Sequence, residues 1–182
     1  MIMVKLLMIP LVLILAFVGL FIPNSNQYRS KGEQLVYSTL GEGAKLVREK
    51  YHLRPSGSGV AMPGGPIREL CLSFDMEGPV PKKTLRKLLL AISQDLVQLV
   101  TANEEIQPFL FEPPFTVKNV QVILYVNRKG YDVFDPDIAV AEISRGNLSY
   151  RTLDPDNDRR FKQFIKETYE EALEAAQEDN DL

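Results

Sequence analysis

The strongest pattern in the chain is an apolar run of 17 residues from Leu6 to Ile22, bounded by Lys5 and by Pro23-Asn24-Ser25-Asn26. As a helix it spans about 26 Å, and Ile2 to Val4 bring it to the roughly 30 Å of a bilayer's hydrocarbon core. Lys5 can snorkel from such a helix, and Pro10 kinks it without forbidding it. Downstream the periodicity changes. Ser30-Lys31-Gly32-Glu33 reads as a capping box, and Val36, Leu40, Ala44, Val47 and Tyr51 then recur at helical spacing, which predicts a helix over 30–52. Gly41 and Gly43 weaken it by about 1 kcal/mol each relative to alanine. Residues 56–66, SGSGVAMPGGP, read as a glycine-rich loop.

A strand follows over 67–75, with Leu70, Leu72 and Phe74 on one face and Cys71 and Ser73 on the other. A helix over 81–103 is marked by Leu85, Leu88, Leu89, Ile92, Leu96, Leu99 and Val100. Lys82, Lys83, Arg86 and Lys87 crowd its N-terminus, against the helix dipole. Residues 117–127 alternate as a second strand, and 137–144 with 147–153 form a hairpin about Arg145-Gly146. Phe161, Phe164, Ile165, Tyr169, Ala172, Leu173 and Ala176 predict a last helix over 158–177. The sum is an α+β two-layer sandwich: about four strands, largely antiparallel, with helices on one face, preceded by an N-terminal transmembrane helix. Residues 1–27 are the anchor or signal segment and 28–182 one α/β domain, its core over 67–178.

A cleaved signal peptide is the alternative for the N-terminus. It would make the protein secreted, but bulky Leu20-Phe21-Ile22-Pro23 stands where small residues are wanted before a cut. The expectation is a retained single-pass anchor over residues 2–22. Lys5 favours a cytoplasmic start while Arg29 and Lys31 pull the other way, and the export character of the run places the domain on the extracytoplasmic, periplasmic side.

Composition narrows the chemistry. The chain is 45% hydrophobic and 25% charged with a net charge of −3, and its pI is about 5.3. That argues against a nucleic-acid partner. One cysteine allows no internal disulfide, and one histidine leaves too few ligands for an ordinary zinc site. No metal or cofactor is expected. The glycine loop lacks the Lys-Ser/Thr of a phosphate loop. Asp154, Asp156 and Asp158 alternate as calcium loops begin, but Arg159 and Ile165 fall where glycine and glutamate are needed, so turn chemistry and a helix N-cap account for them. Cys71 with His52 is a thin nucleophile–base pair, and a small core cysteine is the plainer reading. Asn147-Leu148-Ser149 matches a glycosylation sequon, which matters only in a host that glycosylates.

Two places are candidates for interaction or catalysis. Phe109, Leu110, Phe111 and Phe115 lie in PFLFEPPF, where three prolines pre-set an extended backbone. Phe109 and Phe115 are expected inside and Phe111 outward, as a candidate partner-binding surface. The alternative is a carboxylate-based enzyme site at Asp75 and Glu77 with the Asp132–Asp137 loop, which requires those groups to converge in one cleft.

The stretches GSGVAMPGGPIRELCLSFD (57–75), IQPFLFEPPFTVKNVQV (106–122) and YEEALE (169–174) resemble a family of small uncharacterised proteins from chlamydia-like bacteria. The resemblance implies an N-terminal apolar segment with one domain in a bacterial membrane or envelope setting, and it implies no activity. Together these readings point to a membrane-anchored, non-catalytic interaction domain of the bacterial envelope.

Overall fold

A computed structural model describes residues 30–178. Contacts divide the chain into residues 1–34 and 35–182, and the fold below is that of the second unit. The transmembrane helix expected within 1–27 lies outside the described residues. Among the described residues no helix is long and apolar enough to cross a membrane.

The elements run α1 (Lys31–Tyr51), β1 (Arg54–Ala61), β2 (Glu69–Glu77), α2 (Lys82–Ala102), β3 (Val120–Arg128), β4 (Tyr131–Asp132), β5 (Val140–Ser144), β6 (Asn147–Asp154), β7 (Asn157–Thr168) and α3 (Tyr169–Glu178). The strands make one seven-stranded sheet in the order β1-β2-β3-β5-β6-β7, with β4 paired to the end of β3. Only β2 and β3 run parallel, joined by α2 as the crossover; every other pair is antiparallel. The expectation of about four strands is therefore corrected to seven.

Each miss has a physical cause. β1 runs into the stretch read as a glycine loop: Gly57, Gly59 and Ala61 pair with Ser73, Cys71 and Glu69 of β2, and only residues 62–66 turn. A side-chain-poor strand leaves no hydrophobic alternation to read. β4 is two residues long and follows a two-residue turn at Lys129-Gly130 with both φ positive, the geometry of a type I′ hairpin. β7 replaces the first half of the expected last helix. Leu153 pairs with Phe161 while Arg151 pairs with Phe164, so a bulge inserts one extra residue. Two phenylalanines three apart thus share one face of a strand, the same spacing that marks a helix face. Only Tyr169–Glu178 is helical.

The helices cover one face of the sheet. Leu70, Leu72 and Phe74 of β2, Val120, Val122, Leu124 and Val126 of β3, Ala141 and Ile143 of β5, and Leu148 and Tyr150 of β6 are buried there with Leu85, Leu89, Ile92 and Leu96 of α2. Gly43 permits the close packing of α1, since a Cβ there would stand 2.7 Å from Leu96 and 3.1 Å from Leu72. Lys50 and Tyr51 both bond Asp95 of α2, at 2.8 and 2.7 Å.

A polar clamp ties β7 to the start of α2. Glu167 accepts two hydrogen bonds of 2.9 Å from Arg86, lies 3.2 Å from Lys82 and accepts the Tyr150 hydroxyl. Burial opposes its charge, but the bonds from Arg86, Tyr150 and Lys82 prevail and hold the carboxyl down to about 2. Two of the cations that oppose the α2 dipole are thereby partly offset by one carboxylate.

Candidate interaction surface

The expected carboxylates do not converge. Asp75 and Glu77 line a cleft of about 520 Å³ with His52, Arg54, Asn127 and Lys129, at the carboxyl ends of the parallel strands β2 and β3. Asp75 is held there by Arg54 at 2.7 Å. Asp135 is engaged elsewhere: it accepts from Thr152 at 2.9 Å and Gln163 at 2.7 Å and pairs with Lys162 at 3.0 Å, bonds that lower its pKa, Lys162 foremost. Asp137 lines a separate hollow with Pro79, Ile138 and Gln163, and Asp132 sits in β4 opposite Asn127.

The remaining polar candidates have structural partners. The Asp156 amide donates to Asp154 in the turn between β6 and β7, so these aspartates join two strands and cap no helix. Among the described residues no group of histidine, cysteine and carboxylate side chains could hold a metal ion. Cys71 pairs with Gly59, whereas His52 lies just before Arg54, which pairs with Asp75. Four residues along β2, about 13 Å, separate Cys71 from Asp75, and His52 lies two residues before the partner of Asp75. Cys71 is half-buried and belongs to the face away from the helices, which corrects its placement in the core. Burial raises its thiol pKa, aided by Glu69 and Glu142.

The Pro/Phe segment runs beside the start of β2, where Ile67 and Leu110 form a parallel bridge. Leu110 and Phe115 are buried and Phe109 is half-buried against the core. Phe111 is exposed, with the Arg68 guanidinium 3.6 Å from its ring centre.

A further surface feature is one the sequence pattern conceals. No described helix lies on the second face of the sheet. One lateral row crosses it through all six main strands: Arg54, Asp75, Tyr125, Val140, Arg151 and Phe164. Tyr125 is 41% exposed, Phe161 45% and Phe164 56%. Arg151 lies between the two phenylalanines, 5.1 and 5.9 Å from their ring centres, and is paired with Glu142, which Gln121 also bonds at 2.6 Å. Lys166 stands 4.7 Å from the Phe164 ring. Aromatic rings, a partly buried arginine and paired polar groups are the composition of a protein–protein contact core. Spacing alone places Phe161 and Phe164 on a buried helical stripe; Arg159 and Arg160 before them and Lys162 and Gln163 between them are the available sign of an exposed strand.

No protein-family model, curated protein or solved structure matches this chain, so the sheet face and the cleft are the observations from which a function has to be argued.

Proposed function

We propose that the chain is a non-catalytic interaction domain held at a bacterial envelope membrane by its apolar N-terminal segment, and that the uncovered sheet face is its working surface. One observation carries this reading: Tyr125, Phe161 and Phe164, each more than 40% exposed, lie on one face around Arg151. A contiguous apolar patch of that kind usually marks an interaction site. The membrane setting is supported by the run from Leu6 to Ile22 and by the resemblance to the chlamydia-like family.

A photo-crosslinking amino acid placed at position 125, 164 or 111 of the full chain, in its native membrane, tests the assignment. Adducts from 125 and 164 and none from 111 are the expected result. Adducts from 111 alone would move the working surface to the Pro/Phe segment. N-terminal sequencing of the same material tests the anchor, since a chain beginning near Asn26 would be a released protein.

A second reading, an enzyme site at Asp75 and Glu77 without the Asp132–Asp137 loop, is favoured by the position of their cleft at the carboxyl ends of two parallel strands, where α/β proteins bind ligands. Thermal-shift screening of small anions and sugars against the wild type and Glu77→Gln separates it from the first. A ligand whose stabilisation vanishes in the variant would establish the cleft as a site.

A further inference from the structure

Two loops that carry almost no charge lie side by side at the amino end of β2. Residues 62–66, MPGGP, turn there between β1 and β2. The Pro/Phe segment flanks them: the Ile67 amide donates to the Phe109 carbonyl at 2.7 Å, and the Phe111 amide to the Ile67 carbonyl at 2.9 Å. Residues 63–66 and 111–114 are exposed, and Glu112 is the one charged side chain among these eight. Arg68, stacked on the Phe111 ring, carries the opposite sign. α1 leads to the same end. Gly43 lies over Leu72, and Tyr51 stands three residues before Arg54, the partner of Asp75. The helix thus follows β2, covering about 12 Å from Gly43 to Tyr51 against about 10 Å from Leu72 to Asp75. About 12 Å back from Gly43, Leu35 is level with Arg68.

Resting on the reading of the chain as membrane-anchored, we propose that these two loops dock on the lipid surface of the same bilayer, with Phe111 set into its interfacial zone. The covalent leash selects that occupant. Nine residue steps separate Ile22 from Lys31, the first residue of α1, which is at most about 32 Å of extended chain. β2 by itself is about 30 Å long. The amino end of β2 therefore reaches the bilayer on a slack leash, whereas the carboxyl end reaches it only when the leash is fully stretched. So short a tether supplies a high effective concentration, and two small apolar loops suffice. The contact is apolar, not ionic: Arg68 and Glu112 offset each other, and Glu104 and Glu105 just beyond α2 would repel anionic headgroups. An aromatic ring suits the headgroup boundary, where apolar side chains sink about 5–10 Å. Docked in this way, the domain leaves the face of Tyr125 and Phe164 open to a partner.

The chain contains no tryptophan, so a single introduced indole reports on one position. Phe111→Trp, Tyr131→Trp at the carboxyl end and Phe164→Trp on the uncovered face are made separately in the full chain, each at an exposed site. All three are reconstituted in phosphatidylcholine nanodiscs with plain or brominated acyl chains. The Phe111→Trp variant should show blue-shifted emission and lose most of it to the brominated lipid, while the other two keep theirs. Salt at about 1 M should change nothing, because an apolar contact is not screened. A photo-crosslinker at 111 would accordingly label lipid and no protein, in keeping with the pattern expected from 125 and 164. An unquenched Phe111→Trp variant that stays with the nanodiscs overturns the docking and leaves the anchor standing. Equal quenching at all three positions overturns it too, since no end is then preferred. Quenching released by salt makes the contact ionic and has the same force. A chain that elutes free of the nanodiscs removes the anchor itself, and the proposal with it.

Discussion

Arg86, one turn into α2, and Glu167, near the end of β7, meet in a bidentate pair with both hydrogen bonds at 2.9 Å and side chains only 12% and 10% exposed. The Glu167 carboxyl is lowered from an ordinary 4.5 to about 2. A lowered carboxyl pKa means that the folded state holds the charged form more tightly than the unfolded one. Its contribution is whole above pH 4.5 and is lost as pH falls towards 2, and the shift corresponds to about 3 kcal/mol. Denaturant melts between pH 7 and 2 should show that loss, and Glu167→Gln should flatten it. Arg86→Ala leaves a buried carboxylate without its main partner and should cost about 3–5 kcal/mol at pH 7.

The two glycines of α1 should respond oppositely to alanine. At Gly41 nothing lies within 4 Å of an added Cβ, whereas at Gly43 it would press on Leu96 and Leu72. Gly41→Ala should stabilise by about 0.5–1 kcal/mol. Gly43→Ala should gain nothing or lose stability, because Leu96 and Leu72 belong to a packed core. Thermal melts of the two variants decide this directly.

Phe115 and Phe111 separate core from surface within one segment. Phe115→Ala opens a cavity and should cost about 3–5 kcal/mol. Phe111→Ala forfeits the contact with Arg68 and little else, about 0.5–1 kcal/mol. Equal losses in urea melts would mean that Phe111 is as much a part of the core as Phe115.

Cys71 should be a slow thiol. Burial and the neighbouring Glu69 and Glu142 disfavour its thiolate and raise its pKa above the ordinary 9.0. Its reaction with a soluble disulfide reagent should still be climbing at pH 9, where an unperturbed thiol is half ionised. Glu69→Gln should accelerate it at a fixed pH without changing the melt.

The sequence made the middle of the molecule legible and its flanks obscure. Residues 81–103 and 117–127 were readable because a packed helix and a buried strand repeat their apolar residues at 3.6 and 2. The corresponding elements are Lys82–Ala102 and Val120–Arg128. β1 was hidden because glycine and serine carry no such signal, and its strand character comes from Cys71 and Ser73 across the ladder. β7 was misread because a bulge gave Phe161 and Phe164 helical spacing. The candidate surface shared that fate: Tyr125 stands on the polar side of a strand whose other side supplies the apolar signal, and Phe164 became a surface residue only once β7 was a strand. Convergence at Asp75 and Glu77 was half legible, because adjacency in one strand is local, whereas the position of Asp135 depends on long-range pairing.

The parallel pairing of β2 with β3 sets a schedule for the ribosome. The edge of β2 that β3 will cover is finished at Glu77, but its partner does not begin until Val120. At about 5–20 residues per second, the intervening crossover keeps that edge, with Leu70, Leu72 and Phe74 beside it, open for roughly 2–9 seconds. During that interval the nascent chain offers a hydrophobic strand edge to any neighbour, and the structures able to shield the residues beside it are α1, which is made earlier and packs on Leu72, and then α2. A chaperone that engages this protein during synthesis has its natural target there, and a slowed codon between Ala102 and Val120 would lengthen the exposure.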